Sequence, residues 1–286
     1  MIKTAVILTV FNRREVTLKG LRTLYRAFEE LQNEQPYESY HFDIYMTDDG
    51  CSDGTADAVK GEFPDVHIIQ GDGNLYWSGG MRKAWQTAIH SSEKYDFYLW
   101  FNDDAELYEN ALVIMFDSHS YSDKKSIISG AFCDSKGNAS YGGRDRKSNI
   151  LTPHNVLRPI FLMNGNLVLI PNTIVESVGI IDKVFTHSFG DWDYGCRVLE
   201  NGFGVFLSAE YVGKTERHDN DIEPFLDPKY SLGKRMSLLY SNKHSAIKSF
   251  IFCKRHFGIV KALRVIVMQN IYAICPQLYN IRRCIK

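Results

Sequence analysis

No two cysteines in the chain are spaced C-x-x-C, although six are present: Cys51, Cys133, Cys196, Cys253, Cys275 and Cys284. Thiols scattered in this way exclude a zinc framework and a disulfide scaffold, and they suit a reducing compartment. Internal repeats are lacking, as is any low-complexity stretch long enough to act as a linker. No apolar window reaches the ~20 residues of a membrane span, since Lys261, Arg264, Gln269 and Asn270 interrupt the most apolar region. The start, 1–10, is too short an apolar stretch for a signal peptide, has no small-residue cleavage site and runs into Asn12-Arg13-Arg14. It is expected to be the first strand of a fold. Finally, no Asp or Glu follows Asp227.

What is present is an ordinary globular composition. With 286 residues, 44% hydrophobic and 23% charged, the chain can bury a full core in one large domain, or in one domain with an appendage. The net charge of −1 conceals a segregation: residues 1–227 carry −13, and the 59 residues after them carry 12 Lys or Arg. Such an asymmetry points to a separate surface task, contact with anionic lipid or nucleic acid. The expected division is therefore a domain over 1–227 and a helical basic region over 228–286.

Helical spacing of Leu21, Leu24, Tyr25 and Phe28 predicts a helix over 15–31. Strands are predicted at 42–47, 66–70 and 97–101, with helices near 55–60 and 81–90, so the first 105 residues read as a mostly parallel, doubly wound α/β sheet. Further strands are expected at 127–132, 160–170 and 203–207, and 135–149 reads as a mobile loop. If 250–274 is helical through Gly258, Lys254, Lys261 and Arg264 share one side, and Phe252, Ile259, Leu263, Ile266, Val267 and Ile274 the other. That amphipathic basic helix suits either an anionic membrane surface or packing on the domain.

Two apolar runs end in acidic turns, Ile44-Tyr45-Met46-Thr47 in Asp48-Asp49-Gly50 and Tyr98-Leu99-Trp100-Phe101 in Asn102-Asp103-Asp104. Open α/β sheets bind ligands in the crevice beyond the carboxyl ends of their strands, so both pairs are expected in one crevice. Asp104 is the best ligand there for Mn²⁺ or Mg²⁺, while Asn102 can orient a ribose or diphosphate; the plainer role for Asp103 or Asp104 is to cap the next helix. A carboxylate at Asp48 or Asp49 can accept from a pyrimidine imide N–H, or simply close a turn. Thr9, Asn12 and Arg13 leave the first strand toward the same crevice. From Asn74 to Ala84, Gly79-Gly80 opens a helix whose first turn can face a diphosphate, with Arg82 or Lys83 for charge; Trp77 is either a wall or core. Further on, Asp191 and Asp193 precede a helical stretch with Arg197 four residues past Asp193. They offer a base for an acceptor hydroxyl, or a cap and an i,i+4 ion pair. His218 is a metal ligand or an exposed loop histidine.

In this order the segments resemble glycosyltransferase family 2, inverting enzymes of the GT-A fold, from Thr4 to about Leu263, with most similarity to its rhamnosyltransferase-like branch. The resemblance implies nucleotide-sugar contacts from Thr9, Asn12, Arg13, Asp48, Asp49, Asn74, Trp77, Gly79, Gly80, Arg82, Asn102 and Asp103. It also implies a divalent cation on Asp104 with His218, and Asp191 as the base. The family's Glu-Asp pair is here Gly190-Asp191, which leaves Asp193 as the substitute. No Q-x-x-R-W sequence of processive synthases is present, so single addition is expected: a sugar passes from UDP or dTDP to an oligosaccharide acceptor, lipid-linked if the tail serves a membrane, in capsule or O-antigen assembly. The expected place is the cytoplasmic face of the plasma membrane. Nucleic acid is not expected as a partner, and a homodimer is left open. The alternatives are a sugar-phosphate nucleotidyltransferase, which would have a glycine-rich basic first loop, and an inactive glycan-binding member of the fold.

Overall fold

A computed structural model describes residues 1–35, 37–122, 125–217, 223–242 and 245–279. In chain order it runs β1 (Ile2–Val10), α1 (Arg14–Glu34), β2 (Tyr40–Asp48), α2 (Thr55–Glu62), β3 (His67–Gln70), α3 (Tyr76–Ile89) and β4 (Phe97–Phe101). After these come β5 (Glu106–Leu107), α4 (Ala111–Tyr121), β6 (Ser126–Cys133), β7 (Ala139–Tyr141), β8 (Gly143–Arg144), β9 (Arg158–Pro159), β10 (Leu162–Met163) and β11 (Leu167–Pro171). The chain continues through α5 (Asn172–Val178), α6 (Gly190–Glu200), β12 (Gly204–Lys214), α7 (Leu232–Leu239), α8 (Ala246–Phe257) and α9 (Ile259–Ile274).

The main sheet has the order β3-β2-β1-β4-β11-β6-β12-β5. Strands β3, β2, β1 and β4 are mutually parallel, and β11 runs against both β4 and β6. The apolar runs of β1 and β4 are central because both faces are covered. Val6, Leu8 and Val10 meet Leu18, Leu21 and Leu24 of α1 on one face, and Ala5 and Ile7 meet Met81, Ala84 and Trp85 of α3 on the other. The order reverses between β1 and β4, so a crevice opens beyond their carboxyl ends.

Three expectations are corrected. The run 160–170 is not one strand: Asn164-Gly165-Asn166 separates β10 from β11. The stretch 135–149 contains β7 and β8, with Asp134 and Asp145 accepting from backbone amides two and four residues on, so local turns order it. The tail helix does not pass through Gly258, whose φ of 87° lies in the left-handed region and ends α8. The chain folds back there, and α9 packs on α8 and α7. Phe252 and Cys253 of α8 are buried with Phe185, Leu162 and Cys196, which seats the C-terminal helices on the sheet domain.

Candidate active site

The carboxyl ends of β1, β2 and β4 and the segments 164–166 and 187–192 enclose a cavity of about 890 Å³. Of the residues predicted from the sequence, Thr9, Arg13, Asp49, Trp77, Asn102, Asp104 and Asp191 line it.

At the exit of β4, Arg13 joins the two acids: its Nη2 donates to Asp103 at 2.7 Å and its Nη1 to Asp104 at 2.9 Å. Asp103 is buried and accepts a second bond from Thr17 at 2.7 Å. Burial pushes its carboxyl up to about 6 despite the Arg13 charge, and its place is beneath the cavity wall. The tight approach of α1 to this turn depends on Gly20, where a Cβ would stand 2.2 Å from the Asp103 carbonyl oxygen. Asp104 faces the cavity with its side chain one-third exposed. Asn102 accepts from the Trp77 indole at 2.6 Å and donates to Asn166 Oδ1 at 3.1 Å, so the amide and the ring are fixed together.

The exit of β2 uses its acids mainly to build the loop. Asp48 is buried, accepts from the Cys51 amide at 2.7 Å and does not line the cavity. Asp49 accepts from the amides of Gly73 (3.0 Å), Leu75 (3.3 Å) and Tyr76 (3.0 Å), thereby capping α3 from another strand. It still borders the cavity. Asn12, just past β1, ties that exit to the β2 loop, accepting from the Ser52 amide at 2.7 Å. Asn74 closes its own turn with Asp72.

The first turn of α3 has little left for a diphosphate. The Tyr76 amide is held by Asp49, and those of Ser78 and Gly79 donate to the Thr186 carbonyl at 2.9 and 3.3 Å. Gly79 and Gly80 are buried; a Cβ on Gly80 would stand 2.0 Å from Thr9 Oγ1, so this glycine permits the helix to approach β1. Arg82 turns away, donating to the carbonyls of Asp182 (3.4 Å) and Phe185 (3.3 Å), and burial lowers its pKa. Lys83 donates to the Gln70 carbonyl. Gly79, Gly80, Arg82, Asn12, Asp48, Asn74 and Asp103 therefore support the wall of the cavity without lining it. Arg13 is the one Lys or Arg among the described residues that does line it.

The opposite wall comes from the start of α6. Residues two apart on a helix point about 200° apart, so Asp191 and Asp193 diverge. Asp191 faces the cavity, accepting from the amides of Trp192 (2.8 Å) and Gly165 (3.2 Å), and burial pushes its carboxyl up to about 6. Asp193 points inward, has no exposure, and takes bonds from Arg197 (2.9 Å), Arg255 (2.6 Å) and His256 (2.9 Å). Burial alone would raise its pKa, but these partners hold it below the ordinary carboxylate value. Gly190 has a steric cause: a Cβ there would lie 2.3 Å from Ser78 Oγ on α3, leaving no room for an acidic side chain.

The sequence reading missed Asn164, Gly165, Asn166, His187 and Thr215. The first three had a signal, an Asn-Gly-Asn interruption inside an apolar run. His187 and Thr215 had none. His218 lies outside the described residues.

Among the described residues no three His, Cys, Asp or Glu converge as a closed metal cage. The donor chemistry suits a shared cation instead: Asp104 gives Oδ2 to Arg13 and keeps Oδ1 without a protein partner among the described residues. Mg²⁺ and similar ions commonly take one or two carboxylates and complete their shell with phosphate oxygens and water.

Among curated proteins none matches the chain in sequence. Its fold is similar to that of the mannosyltransferase PcManGT from Pyrobaculum calidifontis, solved in complex with GDP-Man and Mn²⁺, with a TM-score of 0.51, 11% identity, and coverage of 96% of this chain and 73% of that one. It is likewise similar to S. aureus TarS 1–349 in complex with UDP, with a TM-score of 0.55, 13% identity, and coverage of 90% of this chain and 72% of that one. These likenesses establish a GT-A-like fold. The profile described as glycosyl transferase family 2 matches residues 5–185, more than half of the chain. The chain belongs to glycosyl transferase family 2.

Proposed function

We propose that this glycosyltransferase is an inverting, non-processive enzyme that moves a sugar from UDP or dTDP to a hydroxyl of a glycan acceptor in surface-polysaccharide assembly. The observation that carries the reading is the placement of Asp191 and Asp104 on the lining of one cavity, the first raised by burial toward neutral pH and the second with an oxygen unpaired. A carboxylate with a pKa of about 6 is ionised at pH 7 and is a stronger base than an ordinary aspartate. It takes the proton of the acceptor hydroxyl as that oxygen attacks the anomeric carbon, and the bond to the nucleoside diphosphate breaks on the other face.

Trp77, held by Asn102, and Asn166 form the floor under the sugar. Arg13 supplies positive charge beside the leaving group. Asp104 would hold a divalent cation through its Oδ1, and such an ion would add to the neutralisation of the departing diphosphate. The Asp49 carboxylate retains acceptor capacity at the cavity edge for a ring N–H of the base, which uracil and thymine present and cytosine lacks.

Calorimetric titration with UDP, dTDP, GDP and CDP, with and without Mn²⁺, tests the reading on the wild type and on Asp104→Ala. Metal-dependent binding of one pyrimidine diphosphate, lost in the variant, is expected. Absence of binding to every nucleotide would sink the donor assignment, and selective binding of GDP would overturn the pyrimidine.

A further inference from the structure

The break at Gly258 changes which side of the tail is bare. In α9, Val260, Leu263, Val267, Ile271 and Ile274 fall within an arc of about 100°. This arc faces outward: Val260 is 79% exposed, Leu263 51%, Val267 53%, Ile271 36% and Ile274 57%. The opposite side, with Ala262, Tyr272 and Ala273, is buried against the other helices. An apolar stripe of this length on the outside of a helix signals a contact surface.

We propose that this face of α9 docks on an anionic lipid surface. Charge selects that occupant. Arg264 falls beside the stripe on the helical wheel, Lys261 lies further round α9 with its ammonium over the Phe257 ring, Lys254 is exposed on the adjoining α8, and none of the three has an acidic partner among the described residues. The following positions 280–286 add Arg282, Arg283 and Lys286 in sequence, and no acid occurs after Asp227 to oppose them. A second copy pressed on the same face would bring the unpaired Lys254, Lys261 and Arg264 of both copies together with no acid after Asp227 to offset them, whereas an anionic headgroup layer neutralises them. No described helix is long and apolar enough to cross a membrane, so α9 lies along the surface with its stripe among the acyl chains and its basic residues at headgroup level.

The surface is joined to the cavity. Phe252 of α8 stacks on Phe189 with ring centroids 5.2 Å apart, and Phe189 and Trp192 line the cavity wall that carries Asp191. Docking through α9 thus holds the acceptor side of the cavity at a fixed distance from the lipid surface, which fits an acceptor carried by a lipid. The inference about docking stands independently of the donor nucleotide.

The test is flotation of the full chain with vesicles of phosphatidylcholine alone and with vesicles in which part of it is replaced by phosphatidylglycerol, at low and high salt. Binding only to the anionic vesicles, weakened by salt, is expected. Leu263→Glu with Val267→Glu should abolish flotation with an unchanged melting temperature, and Lys254→Gln or Arg264→Gln should each lower partitioning about fivefold. Failure of the wild type to float, or flotation equal in the double variant, would overturn the proposal. So would a wild-type dimer in solution that the double variant converts to monomer, because the face would then belong to a second copy.

Discussion

Replacing Asp193 by alanine separates the two acids at the head of α6 by what each loses. Asp193 is wholly buried and is the common acceptor for Arg197, Arg255 and His256. Removing one partner of a buried ion pair costs ~3–5 kcal/mol because charge remains uncompensated. Each cation keeps some support: Arg197 still donates to the carbonyls of Val178 and Ile180, Arg255 to Asp182, and His256 faces Glu200. The lower end, ~3 kcal/mol, is therefore expected, and at roughly 2–4 °C per kcal/mol it lowers the melting temperature by about 6–12 °C. Thermal melts give this number, while calorimetry with nucleotide and a donor-turnover assay on folded protein give the rest. Nucleotide affinity and turnover should be retained well below the new melting point. A melting temperature within about 2 °C of the wild type would refute the clamp. A loss of turnover of ~10²-fold or more at intact stability would instead make Asp193 the base. The cluster also has a pH signature. Burial alone would lower the His256 pKa, but the bonds to Asp193 and Glu200 outweigh it and hold the pKa above 6.5. A raised histidine stabilises the fold fully below its unfolded pKa and loses that contribution as pH rises through the folded value. The difference in melting temperature between wild type and Asp193→Ala should accordingly shrink on the alkaline side of 6.5.

Asp191→Asn should lower turnover by ~10²–10⁴-fold while leaving nucleotide binding intact. Its melting temperature at neutral pH should equal or exceed the wild type's, since an ionised carboxylate raised to about 6 is held in the fold at a cost. Wild-type turnover should fall with acid below about pH 6, and a flat profile there would remove Asp191 from the base role. Gly190→Ala should destabilise by ~1–3 kcal/mol through its clash with Ser78, and Ser78→Gly in the same chain should restore most of it, as read by denaturant titration. Failure of that rescue would show that the approach of α6 to α3 does not govern position 190.

Strand β4 was legible because Tyr98-Leu99-Trp100-Phe101 is a buried run closed by polar turn chemistry, and the structure places it at Phe97–Phe101. Helix α3 begins at Tyr76, five residues ahead of the expected start, because Asp49, just past β2, caps it and no local pattern carries that information. For the same reason Gly79-Gly80 read as a cradle for phosphate, whereas Thr9 and Thr186, distant in sequence, occupy the space and the amides around it. The choice between Asp191 and Asp193 was closed to sequence, since both head one helix and only the cations from α8 reveal which one turns inward. Gly258 was visible but ambiguous: a lone glycine can sit within a helix, and its left-handed φ is set by the packing of α9 back onto α8.

The reversed strand β11 has a consequence for how the molecule is made. The chain enters β11 at the edge of the sheet where β1, β2 and β4 leave it, so Asn166 reaches Asn102 only once β11 has been inserted between β4 and β6. The cavity is assembled from segments that emerge early and late in synthesis, and contacts so distant along the chain form slowly. An intermediate holding only the first four parallel strands lacks Asn164 to Asn166 and the Asp191 wall. Nucleotide affinity in this protein would thus report on the finished fold, and a nucleotide bound there would stabilise the whole sheet with the logarithm of its concentration over Kd.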